Sequence, residues 1–196
     1  MKKNQSKDRE DIIAKADELV LSEIKKYIYP RIENNEIVYK KSQELAEKLS
    51  ADKDIVALGV RFMDLKLGQA LAENRLAEHI KMSAEASKDF FSQFDLDKEF
   101  IDKVLTCINE HHNKVWTSRE SEICANADAY RFLNVNEFLK ALVEYTNMFK
   151  SFDKGLQHSE LKIDEKWKTL SIDICKKELE PEYILLKEVI KRARPK

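Results

Sequence analysis

IDKVLTCINEHHNKVWTSRESEICANADAYRFL, residues Ile101 to Leu133, is the stretch whose reading decides the fold. With Phe100 just before it, Ile101, Val104, Leu105 and Ile108 recur every three or four residues, which lays them on one face of a helix. That apolar stripe ends at two adjacent histidines, His111 and His112. Asn113 to Trp116 connects to a second helix, which Thr117 or Ser118 caps, with Glu120 or Ser121 in its first turn. That helix carries the small-residue run Ala125-Asn126-Ala127-Asp128-Ala129. The chain has only four histidines in 196 residues, and two of them stand side by side here.

The same spacing extends in both directions. Ile12, Ile13, Ala16, Leu19, Val20, Ile24, Tyr27 and Ile28 predict a helix from Arg9 to Tyr29, ended by Pro30. Helices are expected over about Glu36 to Leu49, and from near Asp52 or Asp54, the second carrying Ile55, Val56, Leu58, Phe62 and Leu65 with Asp64 near its middle. Gly68 to Asn74 reads equally as a break or a continuation. Arg75 to Phe94 is helical, and Asp95-Leu96-Asp97 is a loop and N-cap. Further helices are expected over about Val135 to Phe149 and Glu182 to Arg192, with a polar, less periodic segment at Ile163 to Lys168. Three glycines and three prolines leave few breaks for strands or tight turns. The expectation is an all-α chain, a single multi-helix domain over 9–196 behind a flexible tail at 1–8.

Composition narrows the function classes. With 43% hydrophobic residues the chain can bury a sizeable core, and its net charge of -1 offers no basic field for nucleic acid or an anionic membrane. The basic end Lys191-Arg192-Ala193-Arg194-Pro195-Lys196 is too short to hold nucleic acid at physiological salt. The charged start MKKNQSKDRED precedes no apolar segment of signal type, and no apolar run is long enough for a bilayer. A cytoplasmic protein is expected. Cys107, Cys124 and Cys175 form no C-x-x-C pair, which argues against a disulfide framework or a thiolate zinc site.

Four positions suit a divalent metal. His111 and His112 extend a buried stripe, although a histidine at a helix C-terminus also interacts well with the dipole. His79 lies on a mixed face with Leu76, Ser83 and Ala86, compatible with a ligand or with a solvated side chain. Asp64, in Arg61-Phe62-Met63-Asp64-Leu65, is costly to bury unless it is paired or metal-bound, and Arg61 or Lys66 could supply the pair. Asp128, flanked by alanines, suits either a close helix approach or an ordinary exposed site.

The order of these residues resembles the HD superfamily of metal-dependent phosphohydrolases from about Ala57 to Leu133. His79-Ile80-Lys81-Met82-Ser83-Ala84-Glu85 resembles that family's third-histidine segment, Ile101 to His112 its histidine-ended helix, and Ile123 to Leu133 its closing aspartate helix. Lys166-Trp167-Lys168-Thr169-Leu170-Ser171, followed by Tyr183, looks like the tail of one bacterial branch. Two positions depart from the pattern. Met63-Asp64 stands where the His-Asp pair belongs, and the first histidine's place falls at or close to Val38. Thioether and aliphatic groups do not replace imidazole as ligands.

The resemblance implies a helical HD-like bundle in which one of two metal sites has lost its imidazoles. The other would survive as Asp64, His79, and His111 or His112, holding manganese, iron, magnesium or zinc. Asp128 would orient water or act as base, and Lys66, Lys81 and Lys114 would contact substrate phosphate. The implied reaction is hydrolysis of a phosphomonoester or nucleotide with one metal. The alternative is a catalytically inactive HD-like protein that binds a ligand or another protein and needs no metal.

Overall fold

The computed structural model describes residues 2–194, with side chains from residue 9 onward. Among them there is no strand. The order is α1 (Lys2–Tyr27), α2 (Ile32–Lys48), α3 (Lys53–Phe62), α4 (Leu67–Ala72), a 3-10 turn (Leu76–Glu78), α5 (His79–Phe91) and α6 (Lys98–Glu110). Then come α7 (Arg119–Asp128), a 3-10 turn (Ala129–Arg131), α8 (Val135–Phe149), α9 (Phe152–Thr169) and α10 (Asp173–Ala193). No helix among the described residues is long and apolar enough to cross a membrane. The chain divides into two compact units, residues 1–125 and 126–196. The division falls inside α7 and not in a linker. Of the tail expected at 1–8, Met1 and the side chains of 2–8 lie outside the described residues, and the backbone is helical from Lys2.

In the first unit α3 is the central element. Asp52 caps it by accepting from the backbone N–H groups of Asp54 and Ile55, at 3.0 and 3.2 Å. Every residue from Ile55 to Phe62 is buried, as expected of a helix that is apolar nearly all round. It packs on α1, α2, α5 and α6. Phe62 meets Phe90 and Phe91 of α5 edge-on, with ring centroids 5.1 and 5.5 Å apart. The one charge in the buried run from Ile55 to Phe62, Arg61, is shared: Nε lies 2.6 Å from Asp17 of α1 and Nη1 lies 2.8 Å from Glu36 of α2. Its guanidinium also sits over the Tyr39 ring, 4.0 Å from the centroid.

Gly59 lets α6 and α7 approach α3 closely. A Cβ there would stand 2.7 Å from Cys107 Cβ and 3.0 Å from Cys124 Sγ. Gly59→Ala gains about 1 kcal/mol of helix propensity, while overpacking a tight core costs about 1–3 kcal/mol. The clash should win, and urea unfolding is expected to show a net loss of up to about 2 kcal/mol. An unchanged midpoint would mean that the α3–α6 spacing yields.

The helix expected over Arg75 to Phe94 is a 3-10 turn followed by α5, which runs only from His79 to Phe91, and three further boundaries differ from the sequence expectation. First, α3 stops at Phe62, so Asp64 lies in the turn over residues 63–66 and not mid-helix. The stretch after it continues as α4 and breaks at Asn74, whose φ is 55°. Second, residues 163–168 belong to α9, where Ile163 and Lys166 are both buried. A lysine at a core position hides the apolar period. Third, α10 begins at Asp173 and runs through Pro181. Its buried face, Cys175, Leu179, Leu186 and Ile190, keeps one register across the proline, so packing overrides the local break.

The second unit is built on the α8–α9 hairpin and α10. Lys150, in the left-handed region at φ 50°, ends α8, and the Ser151 hydroxyl accepts from Lys154 N–H to start α9. The Asn126 side chain accepts from the backbone N–H groups of Ser171 and Ile172, at 3.0 and 3.1 Å, and so fixes the α9–α10 corner. At the basic C-terminal end, Arg192 pairs with Glu188 and Arg194 with Glu160.

Candidate metal centre

Four side chains of the first unit converge: Asp64 from the turn after α3, His79 at the first residue of α5, and His111 and His112 just past the end of α6. One ligand atom from each lies within 4.8 Å of all the others. Asp64 is 6% and His111 1% exposed, while His79 and His112 are half-buried. The imidazole centroids are 4.2 Å apart for His111 and His112, 5.5 Å for His79 and His112, and 5.9 Å for His79 and His111.

The orientation of two rings is set by the backbone. His111 Nδ1 lies 2.7 Å from the Ile108 carbonyl, and His79 Nδ1 lies 2.8 Å from the Leu76 carbonyl. A carbonyl only accepts, so each Nδ1 carries the proton and each Nε2 presents a lone pair. Both Nε2 atoms are buried without a hydrogen-bond partner. Both face Asp64 Oδ1 at 3.6 Å, too far for a hydrogen bond. Ion–nitrogen and ion–oxygen bonds of about 2.0–2.2 Å would span that gap from a shared centre. The locked tautomer with an inward Nε2 is the arrangement that ligating histidines take. Three imidazoles and one carboxylate therefore fit a divalent ion.

Glu110, which the sequence reading passed over, shapes the turn beyond the histidines. Its carboxylate accepts from Thr117 N–H, Thr117 Oγ1 and Ser121 Oγ at 2.9, 2.8 and 2.7 Å, and its carbonyl accepts from Trp116 Nε1. Burial pushes this carboxyl up, but the hydrogen bonds from Ser121 and Thr117 outweigh burial and hold it below its ordinary value. Nothing in helical periodicity points to such a contact across a loop.

The remaining expected residues fall elsewhere. Asp128, read as a base or water-orienting group, is fully buried in the second unit with both oxygens taken. Oδ1 lies 2.7 Å from Arg131 Nε and Oδ2 lies 2.7 Å from Lys166 Nζ. Both cations also lie over the Phe132 ring, at 4.7 and 5.3 Å from its centroid. The Lys66 ammonium is 3.0 Å from Glu23, and its backbone N–H donates to Ser83 Oγ. Lys81 is exposed and 3.9 Å from Glu85. Lys114 is exposed in a surface hollow of about 440 Å³ with Trp116, Thr117 and Arg119. The partners considered for Asp64 are engaged elsewhere, Arg61 by Asp17 and Glu36 and Lys66 by Glu23.

Comparison with known proteins gives a consistent result at the level of the fold. No family model matches the sequence, and no curated protein matches it. Solved structures do. A predicted HD superfamily hydrolase from an uncultured Thermotogales bacterium superposes with a TM-score of 0.66 at 17% identity, over 93% of this chain and 89% of that one. An HD-superfamily hydrolase from Bacillus thuringiensis gives 0.68 at 17% identity, over 94% and 95%. A protein from Listeria innocua gives 0.62 at 16% identity, over 90% and 94%. At these identities the likeness concerns architecture, and on that ground this all-α chain has the fold of the HD-superfamily hydrolases.

Proposed function

We propose that this protein is a metal-dependent phosphohydrolase that cleaves a phosphomonoester or nucleotide with one divalent ion. The observation that carries the reading is the convergence of Asp64 Oδ1 with two buried Nε2 atoms whose Nδ1 protons are fixed on backbone carbonyls. Such an ion would supply an activated water and polarise a phosphoryl oxygen. The chain's own part is to hold it with Asp64, His79, His111 and His112, and to bring phosphate to it. Lys114 and Lys81, both exposed, suit phosphate contact, whereas Lys66 is neutralised by Glu23. Asp128 has no part in this scheme, because Arg131 and Lys166 engage both of its oxygens. The nitrogen-rich donor set favours manganese, ferrous iron or zinc over magnesium, which prefers oxygen ligands.

A reduced, single-ion centre is favoured by Val38 and Met63. Both are buried, at 2% and 3% exposure, and the resemblance puts the family's missing imidazoles at Met63 and at or close to Val38. The same feature favours the second reading, a fold that binds but does not turn over.

Elemental analysis of purified protein loaded with each ion, followed by hydrolysis of p-nitrophenyl phosphate and nucleoside monophosphates, tests both. About one ion per chain with metal-dependent turnover is expected. One ion without turnover on any phosphoester, or no ion under any loading, would overturn the enzyme and leave the binding protein.

A further inference from the structure

We propose that His112 is a conditional ligand: it closes the centre around a tetrahedral ion and leaves it open around an octahedral one. Zinc would then occupy the site tightly and silence it, while manganese or ferrous iron would support hydrolysis. The inference rests on the cluster being a metal centre, as argued above, and adds a mode of regulation to it.

Catalytic zinc sites keep three protein ligands and one open position, whereas sites with four protein ligands are saturated and structural. This cluster offers four: Asp64, His79, His111 and His112, all within 4.8 Å of one another. A tetrahedral ion that accepts all four has no position left for water or substrate. An ion that prefers six ligands keeps two positions open with His112 bound and three without it. Divalent zinc also binds such donors more tightly than manganese or ferrous iron, so it would displace either at equal concentration.

The four donors are not equivalent. Asp64 and His111 are at most 6% exposed, and His79 and His111 are held by Nδ1 on carbonyls of their own local turns. These three are in place before any ion arrives. His112 stands at the solvent edge, half-buried, with its ring against both other imidazoles. Its position makes it the donor that a change of ion can recruit or release. No other chain is needed, because the switch is built from two consecutive residues of one helix end.

The test uses the full chain, stripped of metal, as wild type and as His112→Ala and His112→Gln. Thermal unfolding first establishes that the variants fold, as expected for a half-exposed position. Zinc and manganese affinities are then measured by competition with a chromophoric chelator. Cobalt is added as a spectroscopic stand-in for zinc, since four-coordinate cobalt absorbs visible light far more strongly than six-coordinate cobalt. Zinc is finally titrated into manganese-supported hydrolysis.

In the wild type we expect intense cobalt bands and full inhibition by one equivalent of zinc. In both variants the bands should weaken, and zinc affinity should fall by at least the roughly 10–100-fold that loss of an outer-shell partner costs. Manganese affinity should fall much less, and zinc inhibition should be relieved. Stoichiometric binding with the same cobalt spectrum and zinc affinity in wild type and variants would overturn the role of His112 while leaving the metal centre intact. No binding in the wild type would overturn the centre itself, and this inference with it.

Discussion

Asp64→Asn is expected to abolish the thermal response of the protein to metal while leaving the metal-free fold as stable as the wild type or more so. The two halves of that result follow from one position. Asp64 is buried beside Phe62, Met63 and Leu65, and a carboxylate there carries a desolvation cost that a neutral amide of the same shape does not. The amide can also donate to a histidine Nε2, which the carboxylate cannot. Metal reverses the balance. An ion that binds only the folded chain adds about 2.7 kcal/mol at a hundredfold excess over its Kd. At about 2–4 °C per kcal/mol for a chain of this size, the wild-type Tm should rise by roughly 5–11 °C. The Asn variant should show no rise and no bound ion by elemental analysis. A variant that is less stable without metal, set beside a wild type indifferent to metal, would make Asp64 a structural residue and remove the centre.

What the sequence could disclose follows from the range of each interaction. Scarce glycine and proline, with apolar spacing such as Val104, Leu105 and Ile108, define helices through contacts three or four residues apart. The histidine pair at the end of that stripe is visible for the same reason. The approach of Asp64, His79 and His111 depends on where α3, α5 and α6 cross, which no local pattern records. Order along the chain was the only guide to it. Charged residues at buried positions were the main source of error. Lys166 broke the apolar period of α9 because its partner, Asp128, lies far away in sequence. Arg61 read as a local partner for Asp64, yet its partners Asp17 and Glu36 come from α1 and α2. The last helix, expected from about Glu182, starts at Asp173, because the burial that carries α10 through Pro181 is tertiary.

The triad of Asp128, Arg131 and Lys166 should be the most sensitive polar feature of the second unit. Lys166 is 2% exposed and Asp128 not at all, so removing one member strands charge in the interior. Lys166→Met is expected to destabilise the protein by about 3–5 kcal/mol, the range for breaking a buried pair from one side. Arg131 remains on the other oxygen, which favours the lower end of that range. The double variant Asp128→Asn, Lys166→Met removes both charges together and should recover much of the loss, since buried pairs replaced whole are often near neutral. Urea unfolding of the two singles and the double gives the coupling directly. The same set separates structure from catalysis. A base at Asp128 would make the folded double variant inactive with its ion still bound. A structural triad would leave metal content and turnover near wild type once stability is restored. The two cations on Asp128 favour the second outcome, because each of its oxygens is already engaged by one of them.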